Sequence, residues 1–489
     1  MTDATHAPLI ESKSPLVEGP ERLHRGALGL IDISASTMAN IGPAYSFFFG
    51  FGFLVVTAGI AAPLTIIVAG IAIALLGNTL AQFSRAHPST GGFVTFVGKT
   101  FGPRSALTTA LLAGAGYIIA ISSVLAISGG FLSMTLQRYL KWNIPWGVLT
   151  VILTAFAVVM MVRGVGVSTR IAGLFFGFEM LVLIVVSIAL LFKHSGHLSA
   201  MPFEPSHITN GVKGLAAGFP LAIYFFIGWE NSASLAEETN NPRRNVPRAI
   251  FLSVALMVAS YLLFSYATVT GFDNNVKTLT DAPIPFITVA DSMLASFAFF
   301  AYIAGMTSTL GVLISAANSQ SRLIFNAGRE GLLPAWIGRV SAKRRTPMNA
   351  ICTFVAIAAA IIIVWALGHV IGGSTGSMSP LNYFAESATM GTILIIVVYA
   401  LANLALPFYY KKHRPDEFNP IKHGVLPILG FAALAVPMYY LVKPGQPAPY
   451  DWFPWAALGA IILAIGYATV LAKRDPTLGD RVGSIVADE

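Results

Sequence analysis

The sequence predicts an all-α polytopic membrane protein of about twelve transmembrane helices, with a five-plus-five inverted-repeat transporter core in which helices one and six are broken. Three observations carry that prediction. Of 489 residues, 55% are hydrophobic and only 11% are charged, and the mean hydropathy is +0.72. A soluble domain carries about a quarter charged residues, so this chain has too few to cover a water-facing surface. Its apolar residues gather into about twelve segments, each of roughly the length that crosses a bilayer. The first and sixth of these are interrupted at mid-span, at corresponding places of two five-helix halves.

The segments fall at roughly 28–50, 53–78, 106–136, 144–163, 168–192, 212–236, 247–271, 286–326, 347–371, 380–410, 424–443 and 451–473, and the longer ones tilt or extend beyond the bilayer. With the N terminus inside, all but six of the 30 Lys and Arg lie on the cytoplasmic side; the six outside are Arg138, Lys141, Lys193, Lys213, Lys277 and Lys443. The positive-inside rule then places both termini in the cytoplasm and predicts a multi-pass protein of the plasma (inner) membrane. Topology therefore accounts for the net charge of +8 without any nucleic acid. The chain divides into a tail over 1–26, a core of ten helices over 27–411, two further helices over 412–475, and a tail over 476–489. The first tail is polar, contains Pro and lacks the apolar region of a cleavable signal. The single cysteine, Cys352, sits in an apolar run and reads as a packing residue. No His pair has metal-ligand spacing, and no nucleotide or cofactor motif is visible.

The first span reads "IDISASTMANIGPAYSFFFGFGF", with Asn40, Ile41, Gly42, Pro43 and Ala44 near its middle. Pro43 cannot donate to the helix ladder and Gly42 weakens the same turn. The sixth reads "GFPLAIYFFIGWENSASLAEE" and places Gly228, Trp229, Glu230 and Asn231 together. In lipid an unpaired backbone group costs several kcal/mol, so such breaks survive only where protein or a polar cavity satisfies them. A carboxylate at the bilayer centre costs about 2.5–3.5 kcal/mol on insertion scales. Paired breaks at one depth are the pattern of a secondary transporter whose site lies at the midplane.

Three stretches resemble permeases of the amino acid–polyamine–organocation (APC) superfamily. They are "FFIGWENSASLAEETNNPRRNVPRAI" (Phe225–Ile250), "SQSRLIFNAGREGLLPAWIGRV" (Ser319–Val340), and "LHRGALGLIDI" ahead of the broken first helix; the similarity extends over about 22–475. The resemblance implies alternating access, and a cytoplasmic loop after helix six whose acidic and basic groups (Glu237, Glu238, Arg243, Arg244, Arg248) pair and anchor an inner gate. It implies that Tyr224 stands where the family carries an aromatic gate. In the family a Gly-Ser-Gly-type run in helix one offers bare amides to a substrate carboxylate. This chain has Gly42-Pro43-Ala44, which removes one donor and leaves room for amines or other polar metabolites. The expected substrate-binding residues are thus Asn40, Ile41, Gly42, Ala44, Tyr224, Gly228 and Trp229.

Among the acids, Glu230 lies beside the sixth-helix break, placed to meet an ammonium or to titrate as a gate moves. Glu179, in "LFFGFEMLVLIVV", is alone in an apolar stretch; ionised and isolated it is costly, so it should be neutral, paired or facing a polar pathway. The resemblance places it where some sodium-independent members have a lysine in the cation site between helices one, five and eight. Glu179 and Glu230 are therefore the expected coupling and gating residues. Asp32, Asp291 and Glu386 lie near span ends, where solvent or an outer vestibule can serve them. A sodium site would want hydroxyls, and helix eight offers Thr307, Ser308, Thr309 and Ser315, which also suit helix packing. The expected function is secondary active transport of an amino acid or a related amine or polar metabolite, coupled to protons, with a sodium symporter or an exchanger of the same fold as the alternative. A channel would need a filter or pore ring, and an enzyme a catalytic cluster; neither pattern is present in the sequence.

Overall fold

The structure, a computed structural model, describes Gly26 and residues 28–478 apart from 343, 345 and 372–377. Nearly all of both expected tails therefore lies outside the described residues. Among those described, the chain is helical throughout, with one isolated β-bridge between Leu28 and Thr239.

The first span is two helices, α1 (Leu30–Ile41) and α2 (Pro43–Ala58), followed by a tight turn at Gly59–Ala61 and α3 (Ala62–Ala86). This corrects the expected junction between the first two spans at 50–53. Gly50 and Gly52 are packing positions: a methyl on Gly50 would overlap the ring of Phe225, and one on Gly52 would lie 3.5 Å from Pro285. The turn comes at Gly59, whose φ of 67° suits a residue without a Cβ. A short helix, α4 (Phe93–Phe101), precedes the long α5 (Pro103–Leu140); α6 (Trp146–Val162) and α7 (Val165–Lys193) complete the first repeat. The second repeat opens with the other broken span, α8 (Gly211–Tyr224) and α9 (Asn231–Ser234), and continues with α10 (Pro242–Gly271). The expected eighth span over 286–326 is two elements. A lateral helix, α12 (Pro285–Leu294), follows the short α11 (Val276–Asp281), and a turn at Ala295–Phe297 leads into α13 (Ala298–Arg329). Ala295 takes a φ of 46° there, and the apolar composition of α12 hides the break from a hydropathy reading. The remaining spans are α14 (Met348–Ile371), α15 (Pro380–His413), α16 (Leu426–Val442) and α17 (Phe453–Arg474).

The two halves repeat one plan. Each begins with a broken span, and each places a short helix (α4, then α12) just before its long third span (α5, then α13). An odd number of crossings separates the halves, so α4 and α12 fall on opposite faces. The face where α1 begins and α17 ends is called the terminal face below.

Small residues set the interior spacing. A methyl on Gly116 of α5 would lie 3.2 Å from the Gly391 carbonyl oxygen of α15, and one on Gly391 3.0 Å from the Gly116 oxygen. Such close approach is how membrane helices gain dispersion energy where lipid supplies no hydrophobic drive. It also brings Tyr117 of α5 and Tyr399 of α15 to the centre of the bundle, both nearly fully buried. The outermost helices are apolar on the outside: Trp455 and Leu463 of α17 are 74% and 75% exposed, as lipid-facing residues are.

The remaining acids serve local structure. Asp32 accepts the Gly29 N–H at 2.8 Å and caps α1. Asp291 pairs with Arg138 at 2.8 Å and accepts from the Tyr302 hydroxyl at 2.9 Å, which ties α12 to α5 and α13. Glu386 accepts from the Trp365 indole at 2.7 Å. Cys352 is exposed on α14, so it is a surface residue of its helix.

Candidate functional site

Gly42 turns left-handed (φ 64°, ψ 81°), ends α1 by donating to the Met38 carbonyl, and hands over to Pro43 as the first residue of α2. Pro is at home there, because the first-turn N–H groups of a helix have no partner within the helix. In the sixth span the helix dissolves into turns from Phe225 to Glu230, and Gly228 takes a φ of 105°. The two breaks touch: a methyl on Gly228 would come within 3.1–3.2 Å of Asn40 side-chain and backbone atoms.

Each break meets a carboxyl group of the chain itself. Glu230 accepts from the Tyr117 hydroxyl at 2.5 Å, the Tyr399 hydroxyl at 3.0 Å and the Gly228 N–H at 3.2 Å. Glu179 reaches from α7 to the backbone of Ala44, in the first turn of α2, and to the Ser308 hydroxyl of α13. It is 1% exposed, and its Oε2 has no hydrogen-bond partner. Ser308 also accepts the Tyr45 N–H at 2.9 Å. The three helices expected to meet around Glu179 therefore do so.

Between the breaks lies a narrow void of about 30 Å³ lined by Asn40, Ile41, Tyr45, Tyr224, Ile227 and Gln320 among others. A second void of about 30 Å³ continues toward the terminal face, bounded by Asn40, Phe93, Tyr117, Glu230, Asn231 and Gln320. Of the expected binding residues, Asn40, Ile41 and Tyr224 border the first void. Gly42, Ala44 and Gly228 shape the backbone around it. Trp229 is placed behind the break, fully buried, with its ring against Phe93 and Tyr399.

Both exits are shut. Away from the terminal face, the Tyr224 and Tyr45 hydroxyls bond at 2.8 Å, Tyr45 bonds Ser123 at 3.2 Å, and Phe384 sets its ring edge-on to both tyrosines. Tyr224 also borders a crevice of about 210 Å³ on that outer side, with Phe53, Phe384 and Tyr450. At the terminal face, the Leu28 N–H donates to the Glu238 carbonyl and the Asn240 N–H to the Leu28 carbonyl, so the start of α1 is tied to the end of the sixth span. Buried Arg322 pairs with buried Glu238, and Arg329 pairs with Glu237 at 2.7 Å. Burial alone would raise the Glu237 carboxyl, but Arg329, the Thr90 hydroxyl and nearby Arg322 hold it below the ordinary carboxylate value. The loop's acids thus pair with cations of α13, and Arg243 donates to the Arg85 carbonyl. The helix α13 can reach them because its last turns lie against the sixth span.

The hydroxyls considered for sodium are engaged. Thr307 donates to carbonyls of its own helix, Thr309 donates to the Met306 carbonyl, and Ser315 donates to the Ser36 carbonyl at 2.9 Å. Tyr45, Tyr117, Tyr399, Phe93 and Gln320 complete the site, and none was singled out by the sequence. Tyr and Phe are ordinary in membrane helices, and the partners of Glu230 lie 113 and 169 residues from it in sequence.

The amino acid permease family model matches residues 28–468. The chain belongs to that family. It is 24% identical to the branched-chain amino acid permease BcaP of Bacillus subtilis, with 83% of this chain and 86% of that one covered. It is 26% identical to the Asc-type amino acid transporter 1 of Mus musculus (85% and 74% covered) and 23% identical to a methylthioribose transporter of Bacillus subtilis (84% and 88% covered). Among solved structures, the manganese transporter of Eremococcus coleocola superposes with a TM-score of 0.55 at 10% identity, over 91% of this chain and 95% of that one. Mhp1, a nucleobase-cation-symport-1 family transporter in a closed conformation, superposes with a TM-score of 0.52 at 12% identity, over 95% and 99%. These two show the shared fold. The chain is an all-α membrane transporter of the broken-helix, inverted-repeat class, and not an enzyme.

Proposed function

We propose that this permease moves an amino acid or a related amine across the plasma membrane by alternating access, driven by protons, with the terminal face in the cytoplasm. The orientation is supported by Arg85, Arg243, Arg244, Arg248, Lys411, Lys412, Lys473 and Arg474, which crowd the terminal face in keeping with the positive-inside rule. The substrate reading draws on the relatives, two of which are named as amino acid carriers and one as a methylthioribose transporter. The substrate space is the pair of voids that share Asn40 and Gln320, closed by Tyr45–Tyr224 on one side and by the Glu237 and Glu238 ion pairs on the other.

One observation carries the coupling reading. Glu179 joins α7 to the first turn of α2 and to α13, and one of its oxygens is bare. A proton there changes the charge at the joint between the broken helix and two neighbours. A ligand shifts a conformational equilibrium only by binding its states differently, and this group is placed to do so. The same carboxyl and the Ser308 hydroxyl are hard oxygen donors, so sodium at that joint is the second reading. Purified protein in liposomes, given either a pH gradient or a sodium gradient, separates the two. Glu179→Gln should lose proton-driven accumulation and keep substrate exchange. Full proton-driven accumulation by that variant would remove Glu179 from the mechanism.

A further inference from the structure

The amides that could hold a substrate carboxylate are already in use. Pro43 has no N–H, the Ala44 backbone serves Glu179, the Tyr45 N–H donates to Ser308 at 2.9 Å, and the Ser46 N–H donates to the Gly42 carbonyl at 2.8 Å. At the other break the Gly228 N–H donates to Glu230. A carboxylate entering the void on the terminal side would also meet Glu230, which borders it.

Acceptors, by contrast, stand idle. Asn40, Asn231 and Gln320 line the void on the terminal side of the breaks, and each is more than nine-tenths buried. The carboxamide oxygen of each has no hydrogen-bond partner. The Asn40 amide is oriented by Ser319, whose hydroxyl gives its hydrogen to the Ala316 carbonyl and so receives the Asn40 Nδ2–H at 3.3 Å. The Asn231 amide likewise spends its Nδ2–H on Ser36 at 3.1 Å. Three buried acceptors without donors are an incomplete arrangement, and such groups are rare in folded proteins.

We propose that this site recognises its substrate by the ammonium group and draws no affinity from a carboxylate, so that a carboxylate-free primary amine binds at least as tightly as the amino acid it derives from. An –NH3⁺ group offers three N–H donors, matching the oxygens of Asn40, Asn231 and Gln320. The rings of Phe93 and Tyr117 border the same void and suit a cation. The inference rests on the transporter reading and narrows its substrate.

The test is titration calorimetry on the purified full-length protein in potassium chloride at pH 7. The ligands are matched sets: leucine, isoamylamine and 4-methylpentanoate; lysine and cadaverine; alanine and ethylamine. At least one amine should bind as tightly as its parent amino acid or tighter, and 4-methylpentanoate should give no heat. Gln320→Leu and Asn231→Leu should each weaken amine binding about tenfold or more, as loss of a hydrogen bond to a charged group does. Gln320→Glu keeps an acceptor and should preserve it. Amino acids that bind while their amines are more than tenfold weaker would overturn the inference and leave the transporter reading standing. Binding of neither set, with no uptake of either into liposomes, would overturn both. Stabilisation by sodium over potassium that Gln320→Leu abolishes would also overturn it, by assigning the oxygens to a metal ion.

Discussion

Glu238→Gln should open the terminal face. Glu238 is fully buried and Arg322 is 1% exposed, so the substitution removes the anion bonded to a buried guanidinium and leaves only the more distant Glu237. Removing one partner of a buried pair costs about 3–5 kcal/mol. Arg322 keeps its Nε–H bond to the Asn318 carbonyl at 3.2 Å, and the introduced carboxamide oxygen can still accept one bond, so the lower end applies. That cost falls on the conformation that buries Arg322, while opening lets water reach the charge. About 3 kcal/mol shifts the equilibrium roughly a hundredfold toward the open form. The assay is maleimide labelling of Ala233→Cys in a Cys352→Ser background, since Ala233 is 3% exposed and borders the void beside Glu230. Labelling should accelerate by about the same factor. Pairing Glu238→Leu with Arg322→Met should bring the rate back to within about tenfold of the parent, because apolar replacement of a whole buried pair is often neutral. A labelling rate within threefold of the parent, in a Glu238→Gln protein that elutes and melts normally, would refute the reasoning. A double variant as reactive as the single would show that side-chain packing, rather than charge, holds the face shut.

Three more outcomes follow from the same geometry. Gly42→Ala drives a methyl into Val312 at a φ of 64°, so substrate affinity should fall at least tenfold, with about 1–2 kcal/mol of backbone strain in the melting profile; unchanged affinity by titration would remove Gly42 from the site. Tyr224→Phe deletes the 2.8 Å bond to Tyr45 and should speed thiol labelling from the outer face by about fivefold or more, reflecting about 1 kcal/mol, while leaving terminal-face labelling alone. The Glu237 carboxyl is held below its ordinary value, so the stability it lends is complete above the unfolded-state pKa and is lost as pH falls through the lower folded value. Labelling of Ala233→Cys should therefore be flat from neutral pH down to the ordinary Glu range, about 4.3, and rise only below it; a rise already near pH 6 would contradict this.

What the sequence revealed were its violations. Gly42-Pro43 and Gly228–Glu230 break rules for lipid-buried helices, and both prove to be breaks that touch. Glu179 stood out because nothing near it in sequence could pair with it, and its partners are the Ala44 backbone and Ser308 on other spans. The hidden parts obey every local rule. Tyr117, Tyr399 and Tyr45 are unremarkable until helix packing at Gly116 and Gly391 brings hydroxyls to acids. The Gly50–Gly52 pair resembled a turn because a glycine used for close packing and one used for chain reversal look alike in one dimension. The α12–α13 turn was masked because apolar composition reports depth and not direction. Arg322 and Arg329 were read as topology, since nothing local told that α13 would carry them to Glu238 and Glu237.

The two breaks meet the same difficulty in the same way, and the difference between them separates the roles of the two acids. A broken membrane helix exposes amides that lipid cannot satisfy. Here each break answers one of them with a glutamate. Glu230 is the better dressed: two tyrosine hydroxyls and the Gly228 N–H bond to both of its oxygens. Its arrangement suits a fixed strut between α5, α15 and the sixth span. Glu179 lies against the Ala44 backbone of α2 and Ser308 of α13, and its Oε2 is buried and bare. An ionised bare oxygen is costly where water is absent, and a proton relieves that cost without displacing any partner. Proton occupancy at Glu179 and the geometry of the first break are then linked, and linkage is reciprocal: whatever moves α2 must change how tightly the proton is held. On the proton-coupled reading, the bare oxygen on α7 is what makes Glu179, and not the better-dressed Glu230, the group through which a gradient acts.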